Sequence, residues 1–192
     1  TKKKENASDI PITVTALTEE TLKEMNVSNF DEYIEYLPNV TSGGRGPGQS
    51  TIYIRGLAVD PVNVFLSASQ GSAPNVALYL DEQPVQVPGR NLDVYIADME
   101  RIEVIPGPQG TLFGKNTTGG AIAFTTKKPV LGETFGSVEA NVSQFSSNNS
   151  SAWKLKAAYN LPLGDTLAAR LAIIKDKSSG FYTNNKPPGG TF

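Results

Sequence analysis

Neither cysteine nor histidine occurs among the 192 residues of the chain. Without cysteine there is no disulfide framework, thiolate nucleophile or thiolate zinc site, and without histidine there is no Ser-His-Asp triad and no imidazole ligand for a metal. Most common catalytic kits are therefore absent. A charge excess is missing too: 17 Lys and Arg stand against 19 Asp and Glu, a formal net charge of −2, without the basic surplus of a nucleic-acid binder. The one basic run, Lys2-Lys3-Lys4, reads as a solvated tail. No apolar run reaches about 18 residues, which excludes a membrane-spanning helix, and the start lacks the apolar core of a signal peptide. That leaves a cytosolic chain, a processed one, or part of a longer one. Seven Asn-x-Ser/Thr triplets are present, a chance product of abundant Asn, Ser and Thr.

What is present divides into two parts, with the change near Lys127-Lys128-Pro129. In the first, short helices and strands mix. The β-branched alternation of Ile10 to Ala16 predicts a strand, and Thr18 to Met25 a short helix. Ser28 and Asp31 fit a helix start, Phe30, Tyr33, Ile34 and Leu37 fall on one helical face, and Pro38 is expected to end that helix. The glycines of Gly43 to Gly48 predict an irregular loop, followed by a strand over Thr51 to Arg55. Ala58 to Asn75 is a polar stretch long enough to suggest a functional loop. Strands are expected at Val76 to Leu80, Arg101 to Ile105 and Ala121 to Thr126, with a turn at Asp81 to Pro84 and a short helix at Leu92 to Met99.

After Pro129 the pattern becomes long alternation with period two. Val138, Ala140, Val142 and Phe145 form one apolar row, Trp153, Leu155, Ala157, Tyr159 and Leu161 a second, and Leu167, Ala169, Leu171 and Ile173 a third. Leu161 to Asp165 reads as a tight turn and Ser146 to Ser151 as a looser link. Strands of about ten residues with one apolar and one polar face suit a transmembrane β-barrel. The same periodicity suits a soluble antiparallel meander packed on a core. Three strands close no barrel, so in the first case the chain is a piece of a larger protein.

The densest motif runs from Met99 to Ile122 and includes Arg101-Ile102-Glu103-Val104, Gly107-Pro108-Gln109-Gly110, Leu112-Phe113-Gly114 and Gly119-Gly120-Ala121-Ile122. Gly114-Lys115 is no phosphate loop, because Gln109 stands where the leading glycine belongs and Asn116 where a Ser/Thr would bind magnesium. The motif resembles the plug-domain signature of TonB-dependent outer-membrane receptors. Asp9 to Ala16, Leu37-Pro38-Asn39-Val40, Ile52-Tyr53-Ile54-Arg55-Gly56 and Val76 to Asp81 match in the same order. Pro106 departs from the family's usual Arg, which shifts any plug-locking role toward Arg55, and Phe124 stands where a polar residue is frequent.

The resemblance implies an α+β plug domain over 1–129, a small mixed sheet with short helices, followed over 130–192 by antiparallel strands that begin a transmembrane β-barrel of about 22 strands. It implies a bacterial outer-membrane location, TonB and its inner-membrane motor proteins as partners, the rest of the barrel and outer-membrane lipid as surroundings, and no nucleic acid. The cargo implied is a scarce solute such as a ferric siderophore, carried whole, so that no resident metal or cofactor is expected and iron is not a protein-bound cofactor. A TonB box is not evident in Thr1 to Ser8 and is expected ahead of residue 1. Apical-loop candidates for ligand contact are Arg45, Gln49, Ser67, Ser69, Gln70, Arg90 and Asn91, and candidates for plug–barrel contact are Arg55, Arg101 and Glu103. Two other classes compete: a soluble carbohydrate- or chelate-binding module, and an enzyme using Asp81 with Glu82 or Glu100 with Glu103. The enzyme is discounted, because neighbours in a strand face opposite ways and the second pair has no evident cleft.

Overall fold

A computed structural model describes residues 14–25, 27, 30–44, 50–57, 74–87, 90–91, 97–144 and 151–178. It divides into two compact units, Thr1–Lys127 and Lys128–Phe192.

The first unit is built on a five-stranded mixed sheet whose strands lie in the spatial order Thr15–Thr18, Met99–Pro106, Gly120–Thr126, Val76–Leu80, Gln83–Pro84. Its strands are β1 (Thr15–Thr18), β4 (Val76–Leu80), β5 (Gln83–Pro84), β8 (Met99–Pro106) and β9 (Gly120–Thr126). Only β4 and β9 run parallel. Two small hairpins complete the strands: β2 (Val40–Gly44) with β3 (Ser50–Ile54), and β6 (Gln86–Val87) with β7 (Arg90–Asn91). The helices are short: α1 (Glu19–Glu24), α2 (Phe30–Ile34) and α3 (Gly110–Phe113).

Register explains the core. Leu17 lies opposite Ile102, Ile102 opposite Phe124, Val104 opposite Ile122 and Leu78 beside Ile122, so one sheet face is apolar and all six residues are buried. Leu22, Tyr33, Ile34 and Leu37 cover that face. The Tyr33 ring meets Phe124 edge to face at 5.6 Å between centroids, so the family-atypical Phe124 is a core residue.

Several sequence expectations change. In the first strand the described part is Thr15–Thr18, while residues 10–13 lie outside the described set. Thr18 caps α1, its Oγ1 accepting from the Thr21 amide. Helix α2 ends at Ile34, ahead of Pro38, because the amides of Tyr36 and Leu37 turn to the carbonyls three residues back. Gly43 and Gly44 belong to strand β2, not to a loop. A Cβ on Gly43 would sit 3.1 Å from the Tyr53 ring, so the missing side chain lets the aromatic cross the hairpin. Arg55 is no strand residue; with φ of +54° it starts a turn with Gly56. The turn after β4 is only Asp81-Glu82, both with positive φ, the two-residue hairpin geometry. Met99 opens β8 and is not helical; residues 92–96 are outside the described set.

The second unit is a three-stranded antiparallel meander of β10 (Phe135–Gln144), β11 (Ser151–Pro162) and β12 (Ala168–Ser178). The amide of Leu163 donates to the Leu167 carbonyl and closes the turn between β11 and β12. Phe145, the last member of the first apolar row, lies outside the described residues.

Candidate functional site

The signature motif folds as a strand, a closed loop and a second strand. Three backbone bonds seal the loop: Gly107 N–H to Gly119 O at 3.0 Å, Gln109 N–H to Thr117 O at 3.0 Å and Gly119 N–H to Asn75 O at 2.8 Å. Buried Thr117 adds a hydroxyl bond to the Gly114 carbonyl at 2.7 Å. At the seam, Gly120 has φ of +142°, and a Cβ there would stand 2.5 Å from the Ile105 carbonyl oxygen. Only glycine fits. The knob of the loop is fastened to the sheet by Tyr79, whose hydroxyl donates to the Phe113 carbonyl and whose ring lies 5.0 Å from that of Phe113. Gly107, Gly114 and Gly120, all at positive φ, and Phe113 therefore serve architecture, while Leu112 is exposed.

Arg101 and Glu103 project from the polar face of β8, opposite Thr18 and Ala16 of β1. The Arg101 guanidinium lies 2.8 Å from Glu100 and 3.4 Å from Glu103, so one cation is shared between two carboxylates in a half-buried cluster of net charge −1. Arg55 is exposed, and its amide donates to the Asn39 carbonyl at 2.9 Å. Of the apical candidates, Arg45, Gln49, Ser67, Ser69 and Gln70 lie outside the described residues. Arg90 and Asn91 form β7, paired with Val87 and Gln86, and β7 lies beside β3. Neither carboxylate pair forms a catalytic constellation. Asp81 accepts from the Thr126 amide at 3.0 Å and from its hydroxyl at 2.5 Å, while Glu82 is exposed in the turn.

A second charged cluster, not singled out from sequence, ties α1 to the end of β9. Glu19 lies 2.5 Å from both Lys127 and Lys23, and Lys127 lies 3.8 Å from Asp98. Burial of the Glu19 carboxyl raises its pKa, but hydrogen bonds from Lys127 and Lys23 outweigh that and hold it below its ordinary 4.5. Among the described residues no group of three or more acidic side chains is placed to hold a metal.

In the second unit, register sorts the side chains by face. Val138, Ala157 and Ile173 share a row, as do Gly136, Tyr159 and Leu171, and Val142, Trp153 and Lys177. The apolar members of these rows point to solvent: Val138, Val142, Leu171 and Ile173 are 58–81% exposed. The tyrosine lies over the glycine, where a Cβ would come within 3.0 Å of Tyr159 Cδ2, and a shallow groove of about 260 Å³ runs past Val138, Leu171 and Ile173. From Trp153 to Leu163 the face extends about 34 Å along the strand, or about 26 Å in height at a tilt of about 40°.

The opposite face is polar and internally matched. Glu139 pairs with Lys156 at 3.5 Å, Lys154 stands opposite Asp176, and Arg170 covers the Phe135 ring at 5.2 Å. Asn160, fully buried, accepts from the Val130 amide at 3.0 Å and donates to the carbonyls of Val130 and Glu133 at 2.9 and 2.7 Å. It pins the segment leading into β10 onto β11. Its only sequence signal was an Asn on the polar face of a strand.

The family model described as TonB-dependent Receptor Plug Domain matches residues 6–121. The ferrioxamine B receptor of Salmonella typhimurium (strain SL1344) is 28% identical over 182 residues, covering 91% of this chain and 23% of the receptor. The pesticin receptor of Yersinia enterocolitica is 31% identical over 125 residues, 65% of this chain and 17% of that protein. The crystal structure of the ferric yersiniabactin uptake receptor FyuA from Yersinia pestis superposes with a TM-score of 0.58 at 26% identity, over 80% of this chain and 24% of that one. The pyoverdine outer membrane receptor FpvA from Pseudomonas aeruginosa PAO1 shares the fold with a TM-score of 0.66 at 19% identity, over 91% of this chain and 23% of that one. The chain thus spans about a quarter or less of the length of these relatives. With the plug model matched over more than half its length, and the loop, sheet and following antiparallel strands in place, the chain belongs to the TonB-dependent receptor plug family.

Proposed function

We propose that this chain is the N-terminal part of an outer-membrane receptor that takes up a ferric siderophore or similar iron chelate by energy-coupled transport. Residues 1–129 form the plug, and 130–192 begin the barrel. The observation that carries the reading is the two-faced meander attached to a plug-family domain. An exposed apolar face of bilayer height opposite a charge-matched polar face suits a wall between lipid and a polar lumen. Relatives whose names denote ferrioxamine and yersiniabactin receptors point to iron chelates as cargo.

In this mechanism the plug obstructs the lumen, and the apical segments holding Arg45, Gln49, Ser67, Ser69, Gln70, Arg90 and Asn91 receive the chelate. Arg55, Arg101 and Glu103 contact the barrel's inner wall. TonB, driven by the inner-membrane motor, pulls on the N-terminal side of the plug and opens a path. The protein performs no covalent chemistry and holds no cofactor; iron is cargo.

The test is recovery of the full-length protein from its source membrane, with growth assays beside it. The expected result is a heat-modifiable, detergent-requiring species of about four times this chain's mass, since the chain covers 23% of the ferrioxamine B receptor. Deleting its gene should abolish rescue of iron-limited growth by at least one ferric siderophore. A water-soluble species near 20.5 kDa that folds without detergent would overturn the reading in favour of a soluble binding module.

A further inference from the structure

The apolar face of the meander carries two cations. Lys175 lies opposite Leu155 and Lys177 opposite Trp153, and both lysines are exposed. Among the described residues no carboxylate shares that face: Glu139 and Asp176 both fall on the other one, where Lys156 and Lys154 face them. The two lysines sit at one end of the apolar rows, remote from the turn between β11 and β12, and beside the only tryptophan of the chain.

Resting on the barrel reading above, we propose that Lys175 and Lys177, with Trp153, form a binding site for an anionic lipid headgroup at the membrane interface. The physical grounds are three. A lysine on a lipid-facing barrel surface is costly at the bilayer midplane and nearly free of cost at the interface, which places this end at the headgroup level. Trp153 marks the same level, since its amphipathic ring prefers the boundary between hydrocarbon and water. Both lysines are exposed and stand in register with Leu155 and Trp153, a setting in which a lysine stem can cover apolar surface while its ammonium reaches the polar boundary, and among the described residues no carboxylate stands on their face. An anionic headgroup supplies that charge. The site lies at the end away from the closed turn, which in outer-membrane barrels is the extracellular end.

The test uses the full-length receptor in neutral detergent, titrated with phosphatidylglycerol, or with phosphatidylcholine as the zwitterionic control, and followed by native mass spectrometry. Wild type should retain phosphatidylglycerol preferentially. The double variant K175Q/K177Q should weaken the tightest phosphatidylglycerol step roughly 30-fold, at about 1 kcal/mol per lysine, and leave phosphatidylcholine unchanged. K175R/K177R should retain wild-type binding, and raised salt should weaken it. Unchanged phosphatidylglycerol binding in K175Q/K177Q, with heat-modifiability intact, would overturn the site while sparing the barrel. Equal competition by millimolar inorganic phosphate would overturn the lipid as occupant. A wild-type protein that needs no detergent would overturn the barrel reading and the site with it.

Discussion

Asn160 offers a direct test of how the segment before β10 is held. Its side chain is fully buried and makes three hydrogen bonds, at 2.7, 2.9 and 3.0 Å, to the backbone of Val130 and Glu133. Asn160→Ala removes all three. At a net value of about 1 kcal/mol each, the loss is about 3 kcal/mol if the freed backbone groups stay dry. Val130 and Glu133 are exposed, so water reaches part of what is lost, and a local cost of about 2 kcal/mol is expected. Hydrogen exchange reads this cost directly, because the Val130 amide is one of the three donors and its protection reflects local opening. Two kcal/mol corresponds to roughly 30-fold faster exchange at that amide. The assay is hydrogen–deuterium exchange of the full-length receptor in detergent, followed on the peptide spanning residues 128–134. Asn160→Asp sharpens the result: it keeps an acceptor for the Val130 amide but turns a carboxylate toward two carbonyl oxygens, so it should exchange at least as fast as the alanine variant. Exchange in Asn160→Ala within about threefold of wild type would refute the reasoning.

Two further outcomes are expected in the plug. Gly120→Ala forces a methyl to within 2.5 Å of the Ile105 carbonyl at φ of +142°, so the sheet seam should lose more than about 3 kcal/mol; limited proteolysis of the receptor checks this, and wild-type resistance would contradict it. For Glu19 the folded pKa lies below the ordinary 4.5, so its contribution is full above about pH 4.5 and is lost as pH falls through the depressed folded value. The urea midpoint of plug opening should therefore fall between pH 7 and pH 3 by more in wild type than in Glu19→Gln, and equal shifts in both would sink the assignment.

Much of the fold was legible because it rests on local periodicity. The β4 strand, the cores of β8 and β9, helix α1 and the three alternating strands all follow from side-chain period. Misreadings fell where a distant contact overrode a local preference. Gly43 and Gly44 read as loop until pairing with Thr51 and Ser50, and the Tyr53 ring, made glycine the residue a strand required there. Arg55 read as strand because nothing local announces its positive φ. Pro38 looked like the end of α2, yet the chain had already turned at Tyr36.

By itself the sequence determined the family, through an ordered run of motifs, and the two-faced character of residues 135–178, because alternation with period two survives in any strand arrangement. Only the tertiary structure decided which residues meet. The link between Glu19 and Lys127 spans more than a hundred positions, Tyr79 fastens a loop 34 residues away, and Asn160 reaches back 30 residues to Val130. Such partners are chosen by strand order and register, which depend on how several elements pack at once and leave no local trace in the chain. Lys175 and Lys177 show both contributions: period two already sets them on the row of Leu171 and Ile173, and only the strand register brings them beside Leu155 and Trp153.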